Sequence, residues 1–428
     1  MDSENFKQHL KKYLSNENID KLITSLNDKQ KYSCIIIDEE KIDKETIKKI
    51  YPTLIEHPFV KNAFLYDKEL ELGKSLLFEI GAFYILEPCS ILVSHFLNPQ
   101  KDDLILDIAA APGGKSIHTS FLMKNKGQII SNEISSSRVE ILSSNVEKYG
   151  RKNISVISTD TKTLKNQFPN TFTKIILDAP CSGSGMFRKD INMKEDWTYN
   201  KVLSCATLQK ELIIDAYSLL AEGGEMIYST CSYSYEEDEE VIQYLLNNTD
   251  AILLDIPSFN GEYRSSLNKT VHLLPFLYQG EGHYIAKIKK PNTLKKINFP
   301  ENKNKYNLDG EIFINNKNEL FLTNLLLPFK NIRVLRNGIK IGTIDKKLGL
   351  IYDHAYARFL QNNLSKVDLS KEETINFIYG LTLNKTIPDG YVNLTYLNIP
   401  FALGKVSKNQ IKNHYPKGLR KKLLHYWK

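Results

Sequence analysis

Short apolar runs alternate with amphipathic stretches between residues 103 and 290 of the chain. Each run is rich in β-branched or aliphatic residues and ends at a polar residue or a glycine turn, which is typical of buried strands. The predicted strands are 104–107, 128–133, 154–159, 174–179, 225–230 and, as a late addition, 283–290. Apolar spacings of three and four predict helices over 135–149 and 201–220, the second ended by Gly223-Gly224. This alternation predicts a doubly wound α/β fold with a parallel sheet.

Different patterns flank this sheet and divide the 428 residues into three predicted regions. Residues 1–98 place apolar side chains at helical spacing, and we predict a mostly helical region. The domain that holds the sheet is predicted over 99–292. Residues 293–428 begin with a Lys/Asn-rich linker and continue as a small β-rich domain, in which Asn337-Gly338 is a hairpin signal and 390–406 predicts short strands around turns.

Charge is distributed unevenly along the chain. The formal net charge is +7, but residues 293–428 carry 23 Lys and Arg against 10 Asp and Glu, which leaves −6 for the first 292 residues. The stretch 405–428 has eight basic and no acidic residues, interleaved with aromatic residues such as His414, Tyr415 and Trp427. This asymmetry indicates a nucleic-acid-binding appendage that contacts phosphates and stacks on bases. The alternative is a solvated lysine-rich surface.

The composition disfavours several classes of protein. No apolar run approaches the roughly 18 residues of a membrane span, and the first residues are too polar for a secretory signal, so we expect a cytoplasmic protein without membrane contact. The five cysteines form no CxxC pair and predict reduced thiols. The nine histidines lie at least eleven positions apart, so no metal site is predicted. We expect a monomer.

Three successive predicted strands end in residues suited to a nucleoside cofactor. After the first, small residues and two glycines run into a helix, which lets the backbone approach a ligand at the helix amino end. Glu133 ends the second strand, where a carboxylate bonds ribose hydroxyls, and Asp160 follows the third, within reach of an adenine amino group. Because the GxGxxG pattern is missing, S-adenosylmethionine is favoured over NAD. The alternative is ordinary turn and helix-cap chemistry and, for Arg138, an exposed helix arginine.

Two cysteines follow the fourth and fifth strands, Cys181 in APCSG and Cys231 in STCS. In the common order of such sheets these strands are neighbours, so both thiols and Asp178 are expected to flank one crevice. A thiolate can add to carbon 6 of a pyrimidine while a carboxyl group stabilises the ring nitrogen side, and carbon 5 then attacks a sulfonium methyl. The spacing alone does not tell which cysteine attacks.

These motifs together resemble the NOL1/NOP2/Sun family of RNA cytosine-5 methyltransferases. The resemblance is carried by AAPGGK, by DAPCSGSGMFRKD and by YSTCS followed by an acidic run. It covers roughly residues 80–292 and looks closest to the bacterial branch that acts on small-subunit ribosomal RNA. The end of the chain, 411–422, is similar to the PUA-like RNA-binding tail of that branch. The resemblance implies a Rossmann-like S-adenosylmethionine-dependent methyltransferase domain.

The resemblance also implies roles for individual residues. Cys231 would be the nucleophile, Cys181 would help to release the product, and Asp178 would act beside them. The implied cofactor contacts are Ala109, Ala110, Ala111, Pro112, Gly113, Gly114, Lys115, Glu133, Arg138, Asp160 and Asp178. The implied reaction is methylation of carbon 5 of cytosine in 16S ribosomal RNA, with ribosomal RNA or the small ribosomal subunit as partner. Alternatives are a transfer RNA substrate and a weakly active RNA-binding assembly factor.

Three positions depart from the family pattern. Ala109 stands where the family often has Cys, Leu86 stands where it usually has Gln, and no Arg-x-Asn triplet occurs in 32–40. The first exchange keeps a small residue in a backbone-binding loop. The other two affect RNA handling more than methyl transfer and leave the exact RNA substrate open.

Overall fold

The N-terminal region combines helices with a small sheet. The structure, a computed structural model, describes residues 3–29, 31–299 and 308–420. The helices of this region are α1 Ser3–Leu10, α2 Asn16–Ser25, α3 Lys44–Ile50, α4 Leu76–Glu79 and α5 Ile91–Leu97. Its strands are β1 Tyr32–Ile37, β2 Ile55–Glu56, β3 Ala63–Asp67 and β4 Phe83–Leu86. They form an antiparallel sheet in the order β2-β3-β1-β4.

The prediction of a mostly helical N-terminal region is therefore confirmed for α1 and α2 but wrong for the stretch from β1 to β4. The cause is visible in β1, which is covered on both faces. Cys34 and Ile36 pack into one core cluster, whereas Ile35 and Ile37 pack into another. Such a strand has a continuous apolar run instead of an alternating one, and periodicity alone does not distinguish that run from a helix segment.

The predicted doubly wound sheet is confirmed at the centre of the molecule. Its strands are β5 Leu104–Asp107, β6 Gln128–Asn132, β7 Ile154–Ser158, β8 Phe172–Asp178, β9 Leu220–Thr230, β10 Ile252–Leu254, β11 Glu262–Tyr263, β12 Val271–Leu273 and β13 His283–Lys289. The helices are α6 Gly114–Leu122, α7 Ser136–Tyr149, α8 Thr161–Gln167, α9 Ile191–Glu195, α10 Tyr199–Leu219 and α11 Glu239–Asn248. The parallel strands are ordered β7-β6-β5-β8-β9, and β13 pairs antiparallel with β9.

One boundary in this sheet differs from the prediction. The chain passes from α10 directly into β9 at Leu220, so Gly223-Gly224 lie inside the strand instead of ending the helix. Gly223 has a φ of 75°, and a Cβ there would clash with the backbone of Thr293 and Leu294. The glycine is therefore required by the close passage of the chain after β13, and not by a helix cap.

Helices cover both faces of the central sheet. On one face Ile117 and Leu142 belong to the same buried cluster as Ile105 of β5, and on the other Leu164 and Ile213 pack with the neighbouring strands. Full burial of one such side chain stabilises the fold by about 1.5–3 kcal/mol. Packing on both faces holds the parallel strands in register, so that their carboxyl ends meet along one edge.

The C-terminal region is β-rich, as predicted. Its strands are β14 Glu311–Ile314, β15 Glu319–Thr323, β16 Arg333–Asn337, β17 Ile339–Asp345, β18 Gly349–Tyr352, β19 Ser365–Asp368, β20 Leu383–Asn384, β21 Gly390–Tyr396, β22 Ile399–Ser407 and β23 Gln410–Asn413, with helices α12 His354–Ala357 and α13 Lys371–Ile378. Two small sheets have the orders β14-β15-β17-β18 and β19-β21-β22-β23-β20. The strands predicted within 390–406 are confirmed as the antiparallel pair β21 and β22.

The hairpin predicted at Asn337-Gly338 is wrong. The chain does turn at Gly338, whose φ is 72°, but the two flanking strands belong to different sheets. β17 pairs with β15, whereas β16 pairs antiparallel with β7 and so extends the edge of the central sheet. The predicted boundary between 292 and 293 therefore does not separate two sheets, because a strand from beyond it completes the central one.

The N-terminal and C-terminal regions share a core. Ile35 and Phe64 lie in the same buried cluster as Phe377 and Phe401. Tyr415 is 1% exposed, and its hydroxyl lies 3.1 Å from both Glu79 Oε1 and Arg358 Nη2. The prediction that Tyr415 stacks on RNA bases is therefore wrong, because its ring is part of this core. The remainder of the predicted basic tail, 421–428 with Trp427, lies outside the described residues.

Across the described ranges, no helix combines the length and the apolar character that crossing a bilayer requires.

Candidate active site

The loop after β5 is shaped by small residues. The Ala110 amide donates to the Asn132 carbonyl at 2.8 Å, and the Gly113 amide donates to the Ala110 carbonyl at 2.7 Å. Gly113 has a φ of 109°, and a Cβ on Gly114 would stand 2.5 Å from Leu86 Cδ2. The predicted segment from Ala109 to Lys115 therefore forms a tight turn that leads into the amino end of α6. Leu86, one of the departures from the family pattern, packs directly against it.

Asp107 connects this loop to the sheet through hydrogen bonds. Its Oδ2 accepts a hydrogen bond from Ser116 Oγ at 2.6 Å, and Ser116 Oγ lies 2.7 Å from Ser131 Oγ. Burial raises the pKa of Asp107 to about 7. The carboxyl group of Asp107 on β5 is thus linked to α6 through Ser116 and, through the Ser116 hydroxyl, to Ser131 on β6.

One carboxylate oxygen of Glu133 forms an ion pair but no hydrogen bond within the described part of the chain. The side chain is buried, and its Oε1 accepts from the Ser135 amide at 2.9 Å. Among the described residues, Oε2 has no hydrogen-bond partner, although Arg138 Nη1 lies 3.4 Å away. Arg138 Nη2 donates to the Ala111 carbonyl at 2.8 Å, so this half-exposed arginine connects Glu133 with the loop instead of pointing away from it. A buried oxygen that makes no hydrogen bond here fits a ligand with hydroxyl groups.

Asp160 is placed differently from the other predicted cofactor residues. It follows β7 at the same edge of the sheet, but its Oδ1 accepts from the Thr163 amide at 2.8 Å and its Oδ2 from Thr163 Oγ1 at 3.1 Å. These bonds cap α8, and the capping bond lowers the pKa of Asp160. The helix-cap interpretation is therefore confirmed, and an adenine contact stays a prediction.

Asp178 lies at the end of β8 in a set of polar contacts. Lys115 Nζ approaches its Oδ2 to 2.7 Å, and Ser229 Oγ donates to its Oδ1 at 2.7 Å. His283 Nε2, from the first residue of β13, lies 3.4 Å from Oδ1. Burial alone would raise the pKa of this carboxyl group, but the Lys115 ammonium and His283 hold it well below its usual range. Asp178 is therefore a carboxylate.

The two predicted cysteines meet at this point. Their Sγ atoms are 3.0 Å apart, and both side chains are half-buried. The strands before them are neighbours, as predicted, because Asp178 pairs with Ser229. The hydrogen bond with Cys231 and burial raise the pKa of the Cys181 thiol well above its ordinary value. Cys181 and Cys231 therefore form one close pair of thiols at the carboxyl ends of β8 and β9.

Glu237 connects the two cysteine loops, and the sequence did not reveal this role. Its carboxylate accepts from the Ser182 amide at 2.8 Å, from Ser232 Oγ at 2.7 Å and from Gln209 Nε2 at 3.0 Å, and it also accepts from Ser182 Oγ. Ser182 and Ser232 each follow a cysteine directly. The only signal was the acidic run after Cys231, and such runs are usually solvated, whereas Glu237 is 0% exposed.

Comparison with known proteins identifies the family. A family model described as 16S rRNA methyltransferase RsmB/F matches residues 94–289, and one described as methyltransferase RsmF PUA domain matches residues 364–421. A ribosomal RNA small subunit methyltransferase F from Vibrio parahaemolyticus is 31% identical over 412 residues, which cover 86% of each chain. Its namesake from Psychromonas ingrahamii is 30% identical over 396 residues, with 83% of this chain and 82% of the relative covered.

The chain belongs to the RsmB/F methyltransferase family. Solved structures agree on the fold. NSun6 from Pyrococcus horikoshii, solved with SFG, gives a TM-score of 0.62 at 22% identity and covers 68% of this chain and 98% of that one. A methyltransferase homolog protein from the same organism gives 0.58 at 26% identity, with 66% and 93% covered. The predicted family resemblance and the Rossmann-like methyltransferase fold are thereby confirmed.

A second cluster of polar side chains in this RsmB/F protein is joined by a hydrogen bond to Thr230, the residue before Cys231. Ligand atoms of Asp238, Glu239 and His272, all buried, lie within 4.8 Å of one another. Asp238 Oδ1 accepts from Thr230 Oγ1 at 2.6 Å, and Glu239 Oε1 lies 2.8 Å from His272 Nε2. The sequence did not bring them together, because His272 comes from a distant strand. The absence of a metal stays a prediction.

Replacing Glu237 by glutamine is expected to lower kcat/KM for methyl transfer by about 10²-fold. The side-chain amide cannot accept from all the buried donors on Ser182, Ser232 and Gln209, and each donor left without an acceptor costs about 1–3 kcal/mol. Methyl incorporation into RNA and thermal unfolding would be measured together. Glu240→Gln is the matched control, since Glu240 is 37% exposed and 3.5 Å from Lys210. Unchanged methyl incorporation in Glu237→Gln would contradict the expectation that Glu237 positions the two cysteine loops.

Proposed function

We propose that this protein transfers a methyl group from S-adenosylmethionine to carbon 5 of a cytosine in 16S ribosomal RNA through a covalent bond between Cys231 and carbon 6. The observation that carries the proposal is the 3.0 Å approach of Cys181 and Cys231 beside the Asp178 carboxylate. Membership of a family described as 16S rRNA methyltransferases supports the substrate. The proximity of the two thiols supports the covalent chemistry.

The residues at the carboxyl ends of β5 and β6 fit the cofactor. The turn from Ala109 to Lys115 has no room for larger side chains at Gly114, and Glu133, whose Oε2 makes no hydrogen bond, directly follows β6. The backbone amides at the start of α6 and this carboxylate would hold the nucleoside and amino acid parts of the molecule. When bound, S-adenosylmethionine supplies an electrophilic methyl group on a sulfonium centre.

The cysteine pair suits a carbon that is not nucleophilic by itself. Carbon 5 of cytosine gains electron density only after a nucleophile adds to carbon 6, and a thiolate is a strong nucleophile for that step. Cys181, in its thiolate form, can later accept the carbon 5 proton, and the electrons of that carbon–hydrogen bond restore the double bond between carbons 5 and 6 and expel the Cys231 sulfur. Two thiols 3.0 Å apart thus divide addition and release between them.

RNA binding is supported by the C-terminal region. Residues 364–421 match the RsmF PUA domain, and the exposed His414 and Lys417 lie on its surface. A base must leave its stack to enter the crevice between two strand ends, which favours single-stranded or partly assembled RNA. We therefore propose ribosomal RNA or the small ribosomal subunit as the partner.

Transfer of a tritiated methyl group to naked ribosomal RNA and to small subunits tests the function. Incorporation at cytosine in either substrate, lost in Cys231→Ser, supports it, and failure with both contradicts it. Higher incorporation into transfer RNA in the same assay would establish the alternative substrate. If Cys231→Ser still rescues a growth defect of cells that lack the gene, the assembly-factor alternative is favoured. Bisulfite sequencing of ribosomal RNA from cells with and without the gene would locate the nucleotide.

A further inference from the structure

Basic and aromatic side chains form a row across the C-terminal sheet β19-β21-β22-β23-β20, and the proposed reaction does not use them. Tyr391 of β21 is the register partner of Lys405 of β22, and Lys405 is also the partner of Lys412 of β23. Directly opposed residues of antiparallel strands have their side chains on the same face of a sheet. His414 follows Lys412 by two positions and continues the row. These four residues make up the β21–β23 surface.

The other face of these strands is core. Val392 and Val406, each next in sequence to a residue of the surface, lie in the buried cluster that the N-terminal and C-terminal regions share. A Cβ on Gly404 would stand 2.6 Å from Ile411 Cγ2, so Gly404 faces this core and Lys405 faces away from it. Three residues of the β21–β23 surface are exposed and the fourth, the tyrosine, is half-buried.

The rings on this surface lie close to one another and to a lysine. The ring centres of Tyr391 and His414 are 6.2 Å apart, and Lys405 Nζ lies 5.2 Å from the centre of the Tyr391 ring. Tyr352, from β18 in the other small sheet, meets Tyr391 with ring centres 5.4 Å apart at an angle of 75°. Tyr352 is itself stacked on the buried Tyr356. The Tyr391 ring is therefore held by other rings, whereas the lysine over it is an exposed side chain.

The carboxylates beside β21 are occupied by other groups. Asp368 accepts from Thr395 Oγ1 at 2.7 Å, and Asp389 accepts from the Lys408 amide at 3.1 Å. Within the described ranges, neither lysine of the β21–β23 surface forms an ion pair with a carboxylate. Burial and the positive charges of these two lysines lower the pKa of His414. The surface therefore combines aromatic rings with positive charge that the protein does not neutralise.

We propose that the β21–β23 surface binds an unpaired segment of the RNA substrate, with one base stacked on Tyr391 and phosphates bound by Lys405 and Lys412. This inference rests on the proposed function, which supplies the RNA. The incoming base takes the place of the Lys405 ammonium over the ring, and the ammonium moves to the adjoining phosphate. Lysines alone would fit an acidic protein equally well. A ring beside them favours an unpaired strand, because every base has a face that stacks.

This surface and the two catalytic cysteines lie on different sheets, so the segment bound here is not the target nucleotide. We expect Tyr391→Ala to weaken binding of 16S ribosomal RNA by about tenfold, the range for loss of one stacked base. The value of kcat/KM should fall by the same factor, as expected when only ground-state binding is lost. Tyr391→Phe keeps the ring and should bind like the wild type. Tyr244→Ala is the matched control, since Tyr244 on α11 is 39% exposed and has Lys210 Nζ 5.9 Å from its ring centre.

Filter binding of the full-length protein to 16S ribosomal RNA, to small subunits and to single-stranded and double-stranded oligoribonucleotides tests the inference. The measurements are made without S-adenosylmethionine at several salt concentrations. Lys405→Gln and Lys412→Gln should each weaken binding and reduce the slope of log Kd against log salt by about 0.7, the share of one phosphate contact to a single strand. Lys371→Gln is the matched control, because Lys371 begins α13, whose Phe377 packs into the core on the other face of the sheet.

Four results would decide against a proposal. Unchanged affinity for single strands in Tyr391→Ala and both lysine variants, with native circular dichroism, would overturn the inference and leave the proposed function intact. Equal losses for single-stranded and double-stranded RNA in Tyr391→Ala would also overturn it, because a paired base is not free to stack on the ring. Losses with small subunits but not with naked RNA would assign the surface to a ribosomal protein instead. If the wild-type protein binds RNA through this surface but transfers no methyl group, the proposed function fails.

Discussion

Replacing Cys231 by alanine is expected to reduce methyl transfer on the order of 10³-fold or more, because loss of a covalent nucleophile removes the step that activates the reacting carbon. In the proposed reaction Cys231, whose Sγ lies 3.0 Å from that of Cys181, is the sulfur that attacks carbon 6. The measurement is methyl incorporation into ribosomal RNA under single-turnover conditions. Cys205→Ala is the matched control, since Cys205 is a half-buried thiol on α10 and the proposed reaction does not use it.

Replacing Cys181 by alanine is expected to give the complementary result. Addition to carbon 6 can still occur, but breakdown of the adduct slows, so protein and RNA remain joined and migrate together on a denaturing gel. Adduct that accumulates on Cys231→Ala instead would reverse the two roles. Absence of adduct in Cys181→Ala, with RNA binding intact, would contradict the covalent mechanism.

Replacing Asp38 by asparagine is expected to lower the free energy of unfolding by about 3–5 kcal/mol, because the buried Arg151 would lose its closest anion. Asp38 is 1% exposed and Arg151 2% exposed, and the two form an ion pair. Arg151 also lies 3.4 Å from Glu40 and 4.5 Å from the centre of the Phe121 ring. The pair fastens the N-terminal sheet to the chain after α7.

Urea unfolding followed by circular dichroism measures this change. Lys48→Met is the matched control, because Lys48 and Glu56 form a pair 2.8 Å apart with 44% and 54% of their side chains exposed, and such pairs contribute about 1 kcal/mol or less. A double variant, Asp38→Leu with Arg151→Met, should regain much of the loss, since it leaves no unpaired charge. Equal urea midpoints for Asp38→Asn and the wild type would contradict the expectation.

The meeting of Asp178, Cys181 and Cys231 at one edge of the sheet could be predicted from sequence because these residues lie at strand ends. A buried parallel strand is a continuous apolar run. The sequence therefore shows that Asp178, Cys181 and Cys231 lie at the ends of such runs. The order of strands then placed both cysteines at one edge. The sequence did not predict the side chains that contact these residues from other parts of the chain. Glu237 lies in an acidic run of a kind that is usually solvated, and His283 is a single histidine at the start of an apolar strand.

Pairing between distant segments was the other part that escaped prediction. β16 is half-exposed and follows a strong turn signal, so local pattern favoured a hairpin with β17, whereas the free edge of β7 was the better partner. Tyr415 was read as a base-stacking residue because basic residues surround it in sequence. Its neighbours in space are Glu79 and Arg358, and no local pattern contains them.

The pairing of β16 with β7 limits how the molecule can be divided. A fragment that stops at residue 292 would lack this strand and would leave the backbone amides and carbonyls along one edge of β7 unpaired. Exposed strand edges pair with strands from other chains, so we expect the shortened protein to self-associate and precipitate. Efforts to obtain the catalytic portion alone should therefore retain the segment through Asn337.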